Sequence, residues 1–472
     1  MRASPPEPKF GMTIANCIEW RAYSSAVITT TPAGASPPTT VVSPGPGGAE
    51  EEPISLAPAA ARPAIADAPL RGNRDFWVVL LGQGISSFGD AITNTALPIL
   101  VLALTGSGLA MGVVGILSTL PDLVLGLPAG AYADRWDRRK MMFSADLGRA
   151  VLTAVIPISV WLGGPTLGLI LLVTFPMNAL RVLWLAAFTA AVPGLVGRGQ
   201  VARATAVFEA FFNVGWIVGP ALAGLLTIAI GPGPTIAIDA ITFAVSAASL
   251  LLVRRPLKPE ARSEPTHLRA DIREGIAYVA GQPTLRAVIA LWTAILVIFA
   301  SLTTGLIFYI TIDRDLGADV VGLVLSAFAV GSLGGSLVAA RMAFRAVGPV
   351  MLVGTVVMGL SVVVVALSTT VPVLVGAACV AGLLDANIAV SYLTLRTQLS
   401  PDALLGRVGA TARTISVGLM PVGSLATGIL LDAVGGTATL ALMGTASIAA
   451  GLGFALLPNV RHARVPRQGA MP

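Results

Sequence analysis

The sequence predicts an all-α membrane protein, with twelve transmembrane helices in two six-helix bundles and both termini in the cytoplasm. Three observations lead to this fold class. Of the 472 residues, 55% are hydrophobic and only 11% are charged, which leaves too little polar surface for a soluble domain of this length. The apolar residues form long blocks separated by short polar connections. Basic residues gather in alternate connections, as they do in membrane proteins.

Twelve apolar spans follow one another from Phe76 onward. Each is close to or above the roughly 20 residues that cross a hydrocarbon core of about 30 Å. The predicted spans are 76–104, 109–132, 142–162, 166–190, 204–229, 234–253, 285–311, 319–341, 347–367, 371–395, 407–431 and 437–457.

The basic residues set the predicted orientation. Connections after even-numbered spans are rich in Arg, whereas those after odd-numbered spans are short and contain a single basic residue, Arg314. Because positive residues stay on the cytoplasmic side, the even-numbered connections and both termini are predicted to be cytoplasmic. The same distribution accounts for the net charge of +6 without nucleic acid as a partner, since the basic residues lie at the span ends.

Polar stretches divide the chain into five parts. Residues 1–72 are rich in Pro, Ala, Ser, Thr and Gly; we expect either a disordered cytoplasmic tail or an upstream extension from a start codon that is not used. Residues 73–253 form the N-terminal bundle, 254–284 a cytoplasmic linker, 285–457 the C-terminal bundle and 458–472 a cytoplasmic tail. Two six-helix halves joined by a polar linker are typical of one large class of transporters.

Composition also narrows the function. The two cysteines and two histidines have no metal-binding spacing, and the sequence contains no Ser-His-Asp set and no phosphate-cradling loop. We therefore expect no enzymatic activity, no metal, no cofactor and no direct drive by ATP. The expected partners are the lipid bilayer and a small-molecule substrate, and the chain is expected to be a monomer in the bacterial inner membrane.

A charged motif joins the second and third spans. It reads Gly130-Ala131-Tyr132-Ala133-Asp134-Arg135-Trp136-Asp137-Arg138-Arg139-Lys140. This spacing resembles the loop signature of the major facilitator superfamily, with Asp137 in place of the usual Gly. The motif follows the second of twelve spans and lies on the expected side of the membrane.

This motif predicts a cytoplasmic gate. Gly130 would allow close helix approach, and Asp134, at a helix end, can accept from Arg138 or face the positive amino end of another helix. The resemblance implies that the other helix is span eleven, which begins near Arg407. The predicted gate residues are Gly130, Asp134, Arg135, Arg138, Arg139 and Arg407. A purely topogenic role for the charges is the simpler alternative, although it would not require Gly and Asp at these spacings.

Span five contains a second motif, with Gly215, Gly219, Pro220 and Gly224. Small residues four apart allow helices to pack closely, and Pro220 removes a backbone donor and bends the helix. The run resembles the antiporter motif of exporters in the same superfamily, with Ala223 in place of one glycine. Ordinary small-residue packing is the alternative interpretation.

Over residues 75–457 the chain looks most like the branch of macrolide and enterobactin exporters. The stretches Ser86–Asp90 and Leu399–Val408 carry this closer resemblance, together with the loop motif. The resemblance implies the major facilitator fold and a drug:proton antiporter.

Four charged residues lie near mid-depth when residues are counted along the spans. They are Asp90, Asp122, Arg181 and Asp385. Ionisable groups in hydrocarbon are costly, so each is a candidate for proton coupling or substrate binding. We expect Asp90 or Asp122 to take up a proton from outside as substrate leaves, with Arg181 tuning or replacing that proton or pairing with the carboxylate. A structural hydrogen bond or salt bridge is the alternative for each acid.

Other charges lie closer to the membrane surfaces. Asp146, Arg149, Glu209 and Arg413 fall within about 7 to 11 Å of the inner surface by residue count and are predicted to belong to the gate network. Asp239 and Asp432 fall near the outer span ends and are predicted to be solvated.

Together these features predict a secondary transporter that exports lipophilic or amphipathic small molecules in exchange for protons, by alternating access. A siderophore or metabolite exporter of the same fold remains open, as does sodium in place of the proton. A membrane-embedded enzyme is disfavoured because no catalytic set is present.

Overall fold

A computed structural model describes residues 70–257, 268–341, 347–401 and 404–463. Most of the predicted N-terminal tail, residues 1–69, lies outside these ranges. So do residues 258–267 of the predicted linker and residues 464–472 of the predicted C-terminal tail. Apart from two short 3₁₀ turns and one π-helical segment, the described elements are α-helices. The helices are α1 (Arg74–Thr105), α2 (Gly108–Arg135), α3 (Arg138–Trp161), α4 (Leu167–Val196), α5 (Val201–Ile230), α6 (Pro232–Leu251), α7 (Leu268–Gly281), α8 (Pro283–Ile298), α9 (Leu302–Phe308), α10 (Ala318–Arg341), α11 (Val347–Leu367), α12 (Val371–Gln398), α13 (Leu405–Ala455) and α14 (Pro458–Arg461).

The all-α class predicted from the sequence is confirmed. Eleven membrane-length apolar helical segments occur within the described residues. Side chains that cap the helix amino ends explain where several of them begin. Asn73, Ser107 and Thr166 each accept from the backbone N–H three residues on, at 3.1, 3.2 and 3.3 Å, and Asp137 accepts from the N–H of Arg139 at 3.0 Å.

Span seven was predicted over 285–311, and the structure has one membrane-length segment at Pro283–Asp313. This segment contains a break that the hydropathy pattern does not mark. The structure divides it into α8, α9 and a π-helical segment, Tyr309–Asp313. Next to the break, α13 comes so close to α8 that a side chain on Gly423 would collide with the carbonyl oxygen of Val297. Arg314 N–H donates to Tyr309 O at 3.0 Å, which widens the last turn.

Spans eleven and twelve were predicted as separate, and the structure divides the run Leu405–Ala455 into two helices at a single residue, Gly435. The helical run α13 has 51 residues and contains one non-helical position, Gly435, at φ 78° and ψ 174°. A straight helix of this length would extend about 77 Å, more than twice a hydrocarbon core of about 30 Å. The backbone at Gly435 is one that residues with a side chain rarely adopt, so glycine allows the chain to turn there.

The helices pack as two groups. In the first half, α1 packs on α5 and α6, α3 packs on α4 and α6, and α2 packs on α4. In the second half, α12 packs on α10 and α11, and α13 packs on α8 and α11. The halves meet along two seams, one between α2 and α13 and the other between α5 and α10.

Both seams are built from small residues. A side chain on Gly112 of α2 would lie 2.8 Å from Ser424 O and 3.0 Å from the Cα atom of Gly428 on α13. On the other seam, a side chain on Gly224 of α5 would lie 3.2 Å from the Cα atom of Asp319 on α10. Small residues of this kind let membrane helices approach to backbone contact. These seam contacts lie towards the helix ends that the sequence predicts to face outward.

Candidate functional site

Asp122 lies where α2, α4 and α13 meet, at the middle of α2. Its Oδ2 atom accepts a hydrogen bond from the guanidinium of Arg181 on α4. Its Oδ1 atom lies 3.5 Å from Nη2 of Arg413 on α13. One carboxylate is therefore shared by two guanidinium groups, one from each half of the protein.

Exposure distinguishes the two partners of Asp122. The Asp122 side chain is 12% exposed, Arg181 is 34% exposed and Arg413 is 64% exposed. Arg181 is also held by Asn178, whose Oδ1 atom accepts from Nε at 3.3 Å. The pair Asp122–Arg181 is thus the fixed part of the site, and Arg413 is the more open contact that crosses the seam.

Asp90 does not join this group; it pairs with Arg149 of α3 instead. Arg149 Nη2 lies 2.5 Å from Asp90 Oδ1, and its guanidinium carbon lies 3.9 Å from the centre of the Phe243 ring on α6. Arg149 was predicted to lie near the inner surface in the gate network, but only 4% of it is exposed. Its long side chain reaches from α3 to the middle of α1, which residue counting along one helix does not reveal.

Two further acids lie in the same buried layer. The predicted solvation of Asp239 is wrong, and the gate role of Asp146 stays a prediction. Asp146, predicted at the gate, is fully buried and accepts from Ser246 at 2.6 Å and from Gln83 at 3.3 Å. Asp239, predicted to be solvated, is 1% exposed and accepts from the Thr242 hydroxyl at 3.2 Å. Both acids face neighbouring helices because of their position around the helix, whereas the sequence count gives only their depth.

Asp385 lies in the second half, apart from the other predicted charges. It borders a cavity of about 210 Å³ between α8, α9, α10 and α12. The rest of the lining is mostly apolar and includes Phe299, Phe328, Met358 and Met420. Among the four predicted mid-depth charges, the structure therefore brings only Asp122 and Arg181 together.

The loop motif turns the chain from α2 into α3. Asp137 replaces the usual Gly and caps α3, since its Oδ1 atom accepts from the N–H groups of Arg139 and Lys140 at 3.0 and 3.3 Å. Arg138 Nε donates to Ala133 O at 3.2 Å, and Arg139 donates to the last carbonyls of α6 at 2.7 and 2.8 Å. These basic side chains therefore satisfy helix ends within the first half.

The remaining gate residues lie around this turn. Asp134 and Arg135 are exposed at the end of α2. Among the described residues, nothing lies within 4 Å of a side chain built on Gly130, so this conformation does not use the close approach predicted there. Arg407 lies 2.5 Å from Glu274 of α7, which holds this linker helix against the start of α13. The gate itself stays a prediction.

The span-five motif packs on two different helices. A side chain on Gly215 would lie 2.9 Å from Ser87 Oγ, and one on Gly219 would lie 2.5 Å from the Cβ atom of Ala91, both on α1. Gly224 instead faces α10 across the seam. Next to Pro220, the backbone N–H of Ala221 donates to Ser326 Oγ of α10 at 3.1 Å. The motif therefore joins α1, within the same half, to α10, in the other half.

Sequence reasoning missed one contact at the outer ends. Asp432 of α13 was predicted to be solvated, but its carboxylate accepts from Gly108 N at 2.5 Å, Leu109 N at 3.1 Å and Ser107 Oγ at 2.7 Å. An anion at this position is favoured by the positive amino end of α2. The signal was available, because an acid at the end of an apolar span can cap a helix across the seam. Within the described ranges, no group of three or more His, Cys, Asp or Glu side chains is arranged to hold a metal.

Comparison with known proteins agrees with this architecture. Residues 64–468 match the family described as transmembrane secretion effector. The chain is 28% identical over 405 residues to the multidrug efflux pump Tap of Mycolicibacterium fortuitum, covering 82% of this chain and 96% of Tap. It is 24% identical over 393 residues to macrolide efflux protein A of Streptococcus pyogenes, covering 82% of this chain and 96% of that protein.

Solved structures share the fold at low identity. A bacterial homologue of the human lysosomal transporter Spinster, in an inward-facing conformation, has a TM-score of 0.65 and 11% identity, covering 85% of this chain and 99% of that one. The nucleoside transporter NupG has a TM-score of 0.66 and 12% identity, covering 80% of this chain and 99% of that one. The chain belongs to the transmembrane secretion effector family of the major facilitator superfamily and is a multi-pass protein of the bacterial inner membrane.

Proposed function

We propose that this efflux transporter exports lipophilic or amphipathic small molecules in exchange for protons, by alternating access. The carrying observation is the shared carboxylate of Asp122, which pairs with Arg181 in its own half and with Arg413 in the other. A proton bound at Asp122 would remove the charge that attracts both guanidinium groups. Proton binding would thereby release Arg181 within the first half and weaken the contact of Arg413 from the other half, which couples the proton to the conformation.

The proposed topology has twelve crossings, with residues 73–253 and 285–457 as the two bundles and the termini in the cytoplasm. Counting α13 as two crossings, divided at Gly435, supports this number. The basic residues of the loop motif would then lie inside, as the positive-inside distribution requires. The linker 254–284 would join the bundles on the same side.

The seams indicate which side is closed. Gly112 and Gly428 on one seam, and Gly224 and Asp319 on the other, are in contact near the proposed outer ends. We assign this conformation as inward-facing, ready to receive substrate from the cytoplasm or the inner leaflet. Closing the inner side would bring the gate residues Gly130, Asp134 and Arg407 into use as the outer seams part.

The relatives support the choice of substrate class. Tap is named a multidrug efflux pump and its streptococcal relative a macrolide efflux protein. In this chain, the apolar cavity beside Asp385 offers a surface for a lipophilic group next to a single carboxyl. The span-five motif would brace α5 against α1 and α10 while the halves rock.

The test is a drug-susceptibility panel in a bacterial host without its own pumps, combined with a fluorescent dye efflux assay. Expression should raise the inhibitory concentration of at least one macrolide or lipophilic dye about fourfold or more, and a protonophore should abolish dye efflux. The Asp122→Asn variant should lose resistance, while Asp75→Asn, a buried control on α1, should keep it. Net uptake would refute export, and efflux that depends on a sodium gradient would refute proton coupling.

A further inference from the structure

Among the described residues, a buried layer between α1, α3 and α6 contains three carboxyl groups and a single guanidinium. Asp146 is 0% exposed, Asp239 is 1% exposed and Arg149 is 4% exposed, whereas the Asp90 side chain is 28% exposed. Arg181 of the neighbouring α4 turns away to Asp122. A buried carboxylate without a counter-charge is costly. Because Arg149 carries one positive charge, it can balance only one of these acids at a time.

Arg149 pairs with Asp90, and one of its N–H donors makes no hydrogen bond to the described residues. Its Nη2 atom lies 2.5 Å from Asp90, while its Nε atom has no hydrogen-bond partner within the described residues. Asp146 shows the complementary deficit. Its Oδ2 atom accepts from Ser246 and Gln83, whereas its buried Oδ1 atom has no partner in the described part of the chain.

The unused donor and the unused acceptor lie on the same helix face. Asp146 and Arg149 are three residues apart on α3, so their side chains are neighbours one turn apart. A guanidinium has five N–H donors and reaches a second carboxylate by rotating its long side chain. Asp146 is thus a ready alternative partner for Arg149, on the side of the layer nearer to the loop motif.

On the opposite side of the layer, a third acid, Asp239, lies close to Asp90. Gly89 precedes Asp90 and has no side chain, and one built there would collide with Asp239 and Thr242 of α6. This close approach places Asp239 beside Asp90 without a cation of its own among the described residues. Asp90 is also the most exposed of the four charged groups, so protons have access to the layer through it.

We propose that Arg149 exchanges between Asp90 and Asp146 when a proton binds at Asp90, so that this layer carries a proton in addition to the one bound at Asp122. In the first state Arg149 pairs with the Asp90 carboxylate, and Asp146 holds a proton on Oδ1. In the alternative state Asp90 holds a proton, and Arg149 pairs with ionised Asp146. Arg149 keeps its own charge throughout.

The two states differ by one proton taken up and one released. An O–H bond forms at Asp90 as a proton enters, and the O–H bond at Asp146 breaks as its proton leaves past Ser246, about 8 Å from the inner end of α6. Transfer of the newly bound proton from Asp90 to Asp146 then restores the first state, with Arg149 again paired with Asp90. One proton then crosses the layer in each cycle. This inference rests on the proton-coupled export proposed above.

Infrared spectroscopy of the purified full chain in lipid tests the exchange, because protonated carboxyl groups have their own C=O stretching band. At neutral pH, Asp146→Asn should remove the absorbance of one protonated carboxyl. Asp90→Asn should remove the same absorbance, since the released Arg149 then pairs with Asp146. The double variant should lose no more than either single variant. The control Asp75→Asn should match the unchanged protein, because the Asn side-chain oxygen can still accept from Arg254 and Arg255 N–H.

A misfolded variant could lose the carboxyl band for an unrelated reason, so the test also includes a variant that should gain absorbance. Arg149→Gln removes the shared cation, so the band should gain about one carboxyl instead of losing one. Retention of the Asp146 absorbance in Asp90→Asn, or no gain in Arg149→Gln, would overturn the exchange. If the bands behave as expected but a pH gradient drives no efflux, the exchange stands and the proposed function fails. If efflux is proton-driven while Asp90→Asn keeps the band, only the exchange fails.

Discussion

The carboxylate of Asp432 accepts a hydrogen bond of 2.5 Å from the backbone N–H of Gly108 and thereby ties α13 to the amino end of α2. The contact joins the two halves at the proposed outer side. The sequence predicts an equivalent arrangement on the inner side, where Asp134 would face the start of α13. The same type of contact, between an acid at the end of one helix and the amino end of a helix in the other half, would then stabilise both the outward-closed and the inward-closed state.

Loss of the Asp432 charge should loosen the outer seam. Asp432→Ala removes three hydrogen bonds to the start of α2. A hydrogen bond to a charged group contributes about 1.5 to 3 kcal/mol to stability. In a cysteine-free background, a Ser424→Cys probe should label several times faster with an impermeant thiol reagent added outside. The control Asp315→Asn, at the same end but outside the seam, should not change the rate. Equal labelling in both would contradict the role of Asp432.

A methyl group on the seam should act as a wedge. Gly112→Ala would place a Cβ atom 2.8 Å from Ser424 O, which forces α2 and α13 apart. We expect efflux of a fluorescent dye to fall about fivefold or more. Gly126→Ala, on the same helix with nothing described within 4 Å, should stay within about twofold of the unchanged protein. Similar efflux in the two variants would show that backbone contact at Gly112 is dispensable.

The two partners of Asp122 should differ in weight. Arg181→Gln removes the less exposed partner and should abolish proton-driven efflux, whereas Arg413→Gln removes a contact at 3.5 Å to a side chain that is 64% exposed and should lower efflux only a few-fold. Initial efflux rates in membrane vesicles, at matched protein levels, give the comparison. A larger loss in Arg413→Gln would mean that the cross-seam contact, rather than the pair within the first half, controls the cycle.

A side chain at Gly435 should destabilise the protein. Its φ of 78° and ψ of 174° lie in a region that costs other residues about 1 to 3 kcal/mol. Gly435→Ala should therefore lower the thermal unfolding midpoint in detergent by a few degrees. Gly453→Ala, in a helical position with open space around it, should leave the midpoint unchanged or raise it. A midpoint unaffected by Gly435→Ala would show that the turn accommodates a side chain.

The sequence predicted the elements of this fold well and the contacts between them poorly. Hydropathy located the apolar spans because each must cross the same thickness of hydrocarbon. It missed the break in span seven, since no proline marks it and the close approach of Gly423 comes from a distant part of the chain.

The candidate site shows the same division. Counting residues placed Asp122 and Arg181 at similar depth, and in the structure their side chains form an ion pair. Depth alone could not show which way Asp146, Arg149 and Asp239 face, because membrane helices that pack on several sides have weak amphipathic patterns. Their burial between α1, α3 and α6 depends on packing that no single span encodes.

The turn at Gly435 has a practical consequence for agents that approach from outside the cell. The six connections proposed to face outward each have at most five residues, and Gly231 and Gly435 are each a whole connection on their own. Antibodies and proteases recognise extended segments, and these connections present almost none. An inhibitor acting from that side would have to enter between the helices, where the glycine seams part.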